Sequence, residues 1–126
     1  MRLFGRAKRS EAPIKVSSVS VAPERAREMI DDGAVILDVR EHHEWNAGHA
    51  PGARHLPLGQ VRNSLEHIPC DCTVIVVCRS GHRSAEGVRA LREAGIDAVN
   101  LHGGMHAWSS LGLPIETPDG RKGKIA

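Results

Sequence analysis

The run Thr73-Val74-Ile75-Val76-Val77 constrains this chain more than any other stretch. Five consecutive β-favouring residues with no polar alternation describe a strand buried on both faces, as in a parallel sheet covered by helices. Cys78 follows directly and opens the loop Cys78-Arg79-Ser80-Gly81-His82-Arg83-Ser84. A helical pattern comes next, with small or apolar residues at Ala85, Val88, Leu91 and Ala94, and Gly95 is placed to end it. A cysteine so placed lies at the carboxyl end of a buried strand and at the mouth of a helix amino terminus. Inward loop N–H groups and the helix dipole both favour thiolate over thiol. The thiolate is the nucleophile. Arg79 and Arg83 add positive charge, so the loop is suited to holding an anion against a reactive sulfur.

The rest of the chain repeats the strand-and-helix alternation. Residues 16–21 form a strand candidate, and Ala22-Pro23-Glu24 starts a helix with proline in its first turn. That helix reaches about Asp31 and breaks at Gly33. Residues 34–39 are a second apolar strand. Residues 41–46 suggest one helical turn, and 53–56 a short strand. A weak helical pattern covers 60–68 and ends at Pro69. Residues 98–101 form the last strand, Gly103-Gly104 a tight turn, and 105–110 a short helix. This order predicts an α/β fold: a mainly parallel central sheet with helices on both faces. Active sites in such sheets gather at the carboxyl ends of the strands, where Cys78 stands. No internal repeat is present.

Four ordered blocks give the chain a family resemblance. The loop from Cys78 to Ser84 resembles the active-site loop of the rhodanese family of sulfurtransferases. Leu37-Asp38-Val39-Arg40 with Glu44 resembles that family's early strand-and-turn motif. Gly48-His49-Ala50-Pro51-Gly52-Ala53, then Leu56-Pro57-Leu58, resembles its second motif. Gly103-Gly104-Met105-His106-Ala107-Trp108, then Gly112-Leu113-Pro114, resembles its closing motif. The resemblance implies a three-layer rhodanese-like fold over residues 16–117, after a basic lead-in at 1–15 and before a flexible tail at 118–126.

It also implies a two-step sulfur transfer. Cys78 takes sulfur from thiosulfate or a related persulfide donor, becomes a persulfide, and passes the outer sulfur to cyanide, a thiol or a protein cysteine. The loop residues Arg79, Ser80, Gly81, His82, Arg83 and Ser84 are the candidate substrate contacts. Gly81 permits backbone that residues with a Cβ disfavour, and successive N–H groups form an anion nest. Arg79 directly after the cysteine goes with thiosulfate-like donors in the family pattern, where mercaptopyruvate-type members usually have glycine. Arg83 is expected either to brace the loop or to touch substrate. His82 reads as a variable loop position and His49 as a hydrogen-bonded scaffold residue. Asp38, Arg40 and Glu44 are expected to form a buried polar network below the loop, since buried charge needs partners.

No cofactor or metal is expected. Cys70 and Cys72 with His67 make poor zinc spacing, and eight histidines scatter between His42 and His106 without a ligand pattern. Cys70 and Cys72 also precede the strand that Cys78 follows. A strand of that length spans roughly 17 Å, far beyond disulfide reach.

Two other functions compete. A cysteine phosphatase or arsenate reductase on the same fold would carry five residues between Cys and Arg, where this chain has four. A sulfur-carrier or regulatory module that serves a partner protein would keep the same loop.

Composition narrows the class further. With two Trp, one Phe and no Tyr, aliphatic residues must form the core. Net charge is +2, and much of the basic excess lies in Arg2, Arg6, Lys8 and Arg9 and in Arg121, Lys122 and Lys124. These ends are expected to be solvated rather than to bind nucleic acid. No apolar run is long enough to span a bilayer, no secretory pattern is apparent, and three cysteines do not make a disulfide framework. The expected location is the cytoplasm, with no membrane partner.

Overall fold

A computed structural model of the chain describes residues 20–126. The basic lead-in at 1–15 and the first part of the 16–21 strand lie outside the described residues. Five strands alternate with helices: β1 (Ser20–Val21), α1 (Pro23–Asp31), β2 (Val35–Asp38), α2 (His42–Ala47), β3 (Arg54–His55), α3 (Leu58–Val61), a 3-10 turn (Leu65–His67), β4 (Val74–Val77), α4 (His82–Glu93), β5 (Ala98–Leu101) and α5 (Gly104–Ser110). The strands form one sheet in the order β1-β5-β4-β2-β3, and each pair is parallel.

The period-two alternation of strand side chains divides the core in two. Leu37, Val74, Val76 and Ala98 point to one face, where Val88 and Leu91 of α4 and Val61 of α3 cover them. Ile36, Ile75, Val77, Val99 and Leu101 point to the other, against Ala26 of α1 and Met105 and Trp108 of α5. Both layers are mostly aliphatic, as the scarcity of aromatics requires. All four residues of β4 are completely buried, which is why its sequence shows no alternation. Among the described residues no helix is long and apolar enough to cross a membrane.

The sheet sets the place of the site. From β2 the chain moves outward to β3, and from β4 it moves outward the other way to β5. Asp38 at the end of β2 lies opposite Val77 at the end of β4. The order reverses between these two strands, and their carboxyl ends bound the crevice where α/β sheets bind ligands.

Two expectations are corrected. Residues 60–68 do not form one helix. The backbone instead turns through short-range bonds, Ser64 N–H to Val61 O at 3.1 Å and His67 N–H to Ser64 O at 3.0 Å. Asn63 and Ser64 are turn formers, and Val61, Leu65 and Ile68 still reach one core. The segment 118–126 is not a free tail. It returns as a hairpin in which Thr117 N–H bonds Arg121 O at 2.8 Å and Gly123 N–H bonds Ile115 O at 3.0 Å. Lys124 N–H then bonds Ala47 O at 2.9 Å, and Ile125 packs on the α1–α5 core. The cause is legible as Pro118-Asp119-Gly120, a turn sequence with proline, Asx and glycine in order.

Candidate active site

Cys78 is 1% exposed and lies where β4 gives way to α4. Its Sγ accepts a hydrogen bond from the Gly81 N–H at 3.0 Å and stands 3.2 Å from Ser84 Oγ. Gly81 caps α4 with φ at +113°, in the left-handed region that favours glycine. This conformation turns the loop's N–H back onto the sulfur. Burial alone raises the thiol's pKa. The Ser84 hydroxyl and the N–H groups of Ser84, Gly81 and Ser80 outweigh it, and the net direction is downward.

The loop rests on a floor of backbone. Met105 N–H donates to Cys78 O at 2.8 Å, and His106 N–H donates to Arg79 O at 3.0 Å. Gly104 makes this approach, with φ at +60°. A Cβ there would lie well inside contact with the carbonyl oxygen of Cys78 and 2.5 Å from that of Arg79.

The charged residues expected below the loop form two forks. Arg40 and Asp38, both fully buried, are joined by Nη2 to Oδ2 at 2.7 Å and Nε to Oδ1 at 2.9 Å. Arg40 Nη2 also donates to Gly48 O at 2.7 Å, which fixes the start of the Gly48-His49 block. Glu44 takes Arg83 in the second fork, at 2.7 and 2.9 Å. Glu44 also closes a capping box on α2, accepting the Glu41 N–H at 2.9 Å. The Arg83 hydrogen bonds lower its pKa to about 2, against the contrary effect of burial. In turn Glu44 raises the pKa of Arg83. The fork leaves the guanidinium of Arg83 held in place beside the loop.

The remaining predicted residues divide by exposure. Arg79, Ser80 and His82 are exposed, and Arg79 Nε donates to Ala126 O at 3.0 Å. Ser84 is fully buried beneath the sulfur. His49 bridges to Glu116, stacks on Trp45 with ring centroids 3.5 Å apart, and donates from Nδ1 to Trp45 O at 3.0 Å. His55 stacks on the same indole and donates from Nε2 to Arg40 O at 2.7 Å. Sequence reasoning missed His55, Trp45, Asn100 and the close approach of Gly104. Asn100 was the detectable one: a polar residue inside Ala98-Val99-Asn100-Leu101 must find partners. Among the described residues no group of three or more His, Cys, Asp or Glu side chains could hold a metal ion.

A nucleophilic sulfur in a cup of N–H donors, with an arginine fork beside it, can attack an electrophilic sulfur and stabilise the resulting anion. The family model for the rhodanese-like domain matches residues 22–111, well over half of the chain. The chain belongs to the rhodanese-like family. Thiosulfate sulfurtransferase GlpE of Pseudomonas aeruginosa is 31% identical over 101 residues, covering 79% of this chain and 91% of that protein. The probable adenylyltransferase/sulfurtransferase MoeZ of Mycobacterium tuberculosis is 36% identical over 95 residues, covering 71% of this chain. This rhodanese-like chain aligns with only 24% of MoeZ's length. A crystal structure of a rhodanese-related protein from Thermoplasma volcanium superposes with a TM-score of 0.72 at 29% identity, covering 76% of this chain and 95% of that one.

Proposed function

We propose that this rhodanese-like protein moves sulfane sulfur from thiosulfate or a related persulfide donor to a thiophilic acceptor through a Cys78 persulfide. Family membership and its sulfurtransferase relatives support sulfur transfer in general. The observation that carries the finer reading is the Cys78 sulfur buried under the Gly81 N–H, in a loop with four residues between Cys78 and Arg83. Sγ attacks the outer sulfur of the donor, the donor's S–S bond breaks, and sulfite leaves with the electron pair. The loop N–H groups hold the persulfide anion. Arg79, exposed at the mouth, draws in the anionic donor, and Arg83, fixed by Glu44, adds positive charge beside the loop. A nucleophilic acceptor then takes the outer sulfur and restores the thiolate. The short loop suits one added sulfur better than a tetrahedral phosphate. A reducing compartment such as the cytoplasm suits this chemistry, because the thiolate must stay available.

Delivery to a partner protein is the second reading. It is favoured by the likeness to MoeZ, whose name joins sulfur transfer to adenylyl transfer on a longer chain.

Intact mass measurement with peptide mapping tests the proposal. Incubation with thiosulfate should add the mass of one sulfur atom at Cys78, and cyanide should remove it as thiocyanate. A chain that gains no sulfur, or gains it only at Cys70 or Cys72, would refute the assignment.

A further inference from the structure

Ser84 has one hydroxyl proton, and two groups compete for it. Its Oγ lies 3.2 Å from Cys78 Sγ and 2.5 Å from Asn100 Oδ1. Asn100 is on β5 opposite Val76 of β4, and strand alternation puts it on the same face as Cys78. Its amide cannot turn freely, because Nδ2 donates to Gly81 O at 3.0 Å. Turning it over would lose that bond and set Oδ1 against another carbonyl oxygen. Oδ1 therefore faces Ser84, and an amide oxygen only accepts. In this arrangement Ser84 donates to Asn100 and presents a lone pair to the sulfur. That suits a protonated thiol, which can donate to Oγ. A thiolate wants the reverse, an O–H aimed at Sγ. Granting it leaves the Ser84 and Asn100 oxygens facing each other with no proton between them.

We propose that Asn100 is a positioning residue that competes with the Cys78 thiolate for the single proton of Ser84. Its effect is to weaken the Ser84 hydroxyl's share in stabilising the thiolate, which the backbone N–H groups also support. A less stabilised thiolate is the stronger nucleophile for attack on sulfur. The inference continues through the loading step and there rests on the sulfur-transfer reading. When Sγ bonds the donor's outer sulfur and sulfite departs, the negative charge passes to the new terminal sulfur. Sγ is then neutral and makes no strong claim on a proton. The Ser84–Asn100 bond and the persulfide coexist without conflict, whereas that bond and the thiolate do not. Asn100 thus biases Cys78 toward its loaded form.

The other charged and titratable groups around the sulfur are left untouched by the test. They are Arg83 with its partner Glu44, Arg79 and His82 in the loop, His106 behind Arg79, and the Asp38–Arg40 pair at the end of β2 and just beyond it. The rate of iodoacetamide alkylation is followed against pH in a chain carrying Cys70→Ser and Cys72→Ser, so that Cys78 alone reports. Asn100→Ala should move the Cys78 titration down by about one pH unit, as expected when a hydrogen bond to a charged group is gained. With Ser84→Ala also present, the same Asn100 substitution should move it by a small fraction of that. Asn100→Ser keeps a polar side chain in the pocket and should also shift the titration down, which covers failure of the alanine variant to fold. An unchanged or upward titration, or a full downward shift without Ser84, would overturn the proposal.

Persulfide occupancy, read by mass against the ratio of thiosulfate to sulfite, separates the two readings. At a pH above the Cys78 titration of both chains, Asn100→Ala should need about a tenfold higher ratio for half-loading, matching one pH unit. A chain that never loads while the titration shifts leaves the proton competition standing and removes the sulfur-transfer reading. A chain that loads normally with no shift does the opposite.

Discussion

Strand β4 has cysteines beyond both of its ends, and the two ends differ in what surrounds them. Cys72, before the strand, lines an open groove with Arg25, Asp32 and Asp71, and Cys70 packs half-buried against the α4-side core. Cys78, after the strand, is buried under a helix amino terminus, with a backbone N–H on its sulfur and a second helix passing beneath its loop. The residue type is the same and the separation is a single strand. The difference is direction: in a parallel sheet the carboxyl end of each strand leads into the amino terminus of a helix, so N–H groups converge there. A cysteine gains its chemistry from which end of the strand it occupies.

The largest expected effect tests that contrast directly. Cys78→Ser should lower thiocyanate formation from thiosulfate and cyanide by roughly 10⁴-fold or more, the scale of removing a nucleophile. Cys70→Ser and Cys72→Ser should retain most activity. Comparable loss at either amino-end cysteine would erase the distinction between the ends.

Next in size is the floor of the loop. Gly104→Ala places a Cβ against two carbonyls at a positive φ, and it should destabilise the fold by about 3 kcal/mol. Urea unfolding checks this, and a loss below about 1 kcal/mol would show that the floor can yield.

A smaller effect is expected at the loop's exposed rim. Arg79→Ala should raise KM for thiosulfate about fivefold, in keeping with an exposed charge pair. The effect should shrink with added salt, because exposed charges are screened over about 8 Å at physiological ionic strength. An uncharged sulfur donor should respond less, and equal responses would remove Arg79 from donor binding.

The smallest effect concerns Glu44 and acid. Its carboxyl is held at about 2 in the fold against an ordinary 4.5, chiefly by Arg83. The unfolded chain therefore binds the proton first. The stabilisation is complete above about pH 4.5 and is lost as pH falls toward 2. Glu44→Gln should be less stable than the wild type at neutral pH, and the gap should close across that window. A gap that stays constant with pH would mean that the fork contributes no net stability.

Much of the fold was legible because its signals are local. Continuous apolar runs marked β2 and β4, proline marked the start of α1, and the Cys78 loop marked the candidate site by its position between strand and helix. Arg83 was readable as a possible brace for the loop, although its partner was visible only as a family position. Asn100 was readable as a residue in need of partners, but the partners themselves were not. Its link to Ser84 and Gly81 depends on the register that sets Val76 beside Asn100, and no short-range pattern encodes a register. Gly104 could be read as a turn, but the closeness of Cys78 comes from a chain segment 26 residues earlier. The hairpin at 115–123 is a different case, since Pro118-Asp119-Gly120 carried the turn signal in plain view. Residues 60–68 show the converse: a helical spacing that three-residue turns satisfy equally well.

The seam between the active loop and α5 is made of main chain alone, Met105 N–H to Cys78 O and His106 N–H to Arg79 O. The seam that holds Cys78 therefore does not depend on which side chains stand at the exposed positions Arg79, Ser80 and His82. Those three positions can diversify while the sulfur stays put. Single substitutions at the rim can change what the mouth presents to a solute, with no remodelling of the seam underneath.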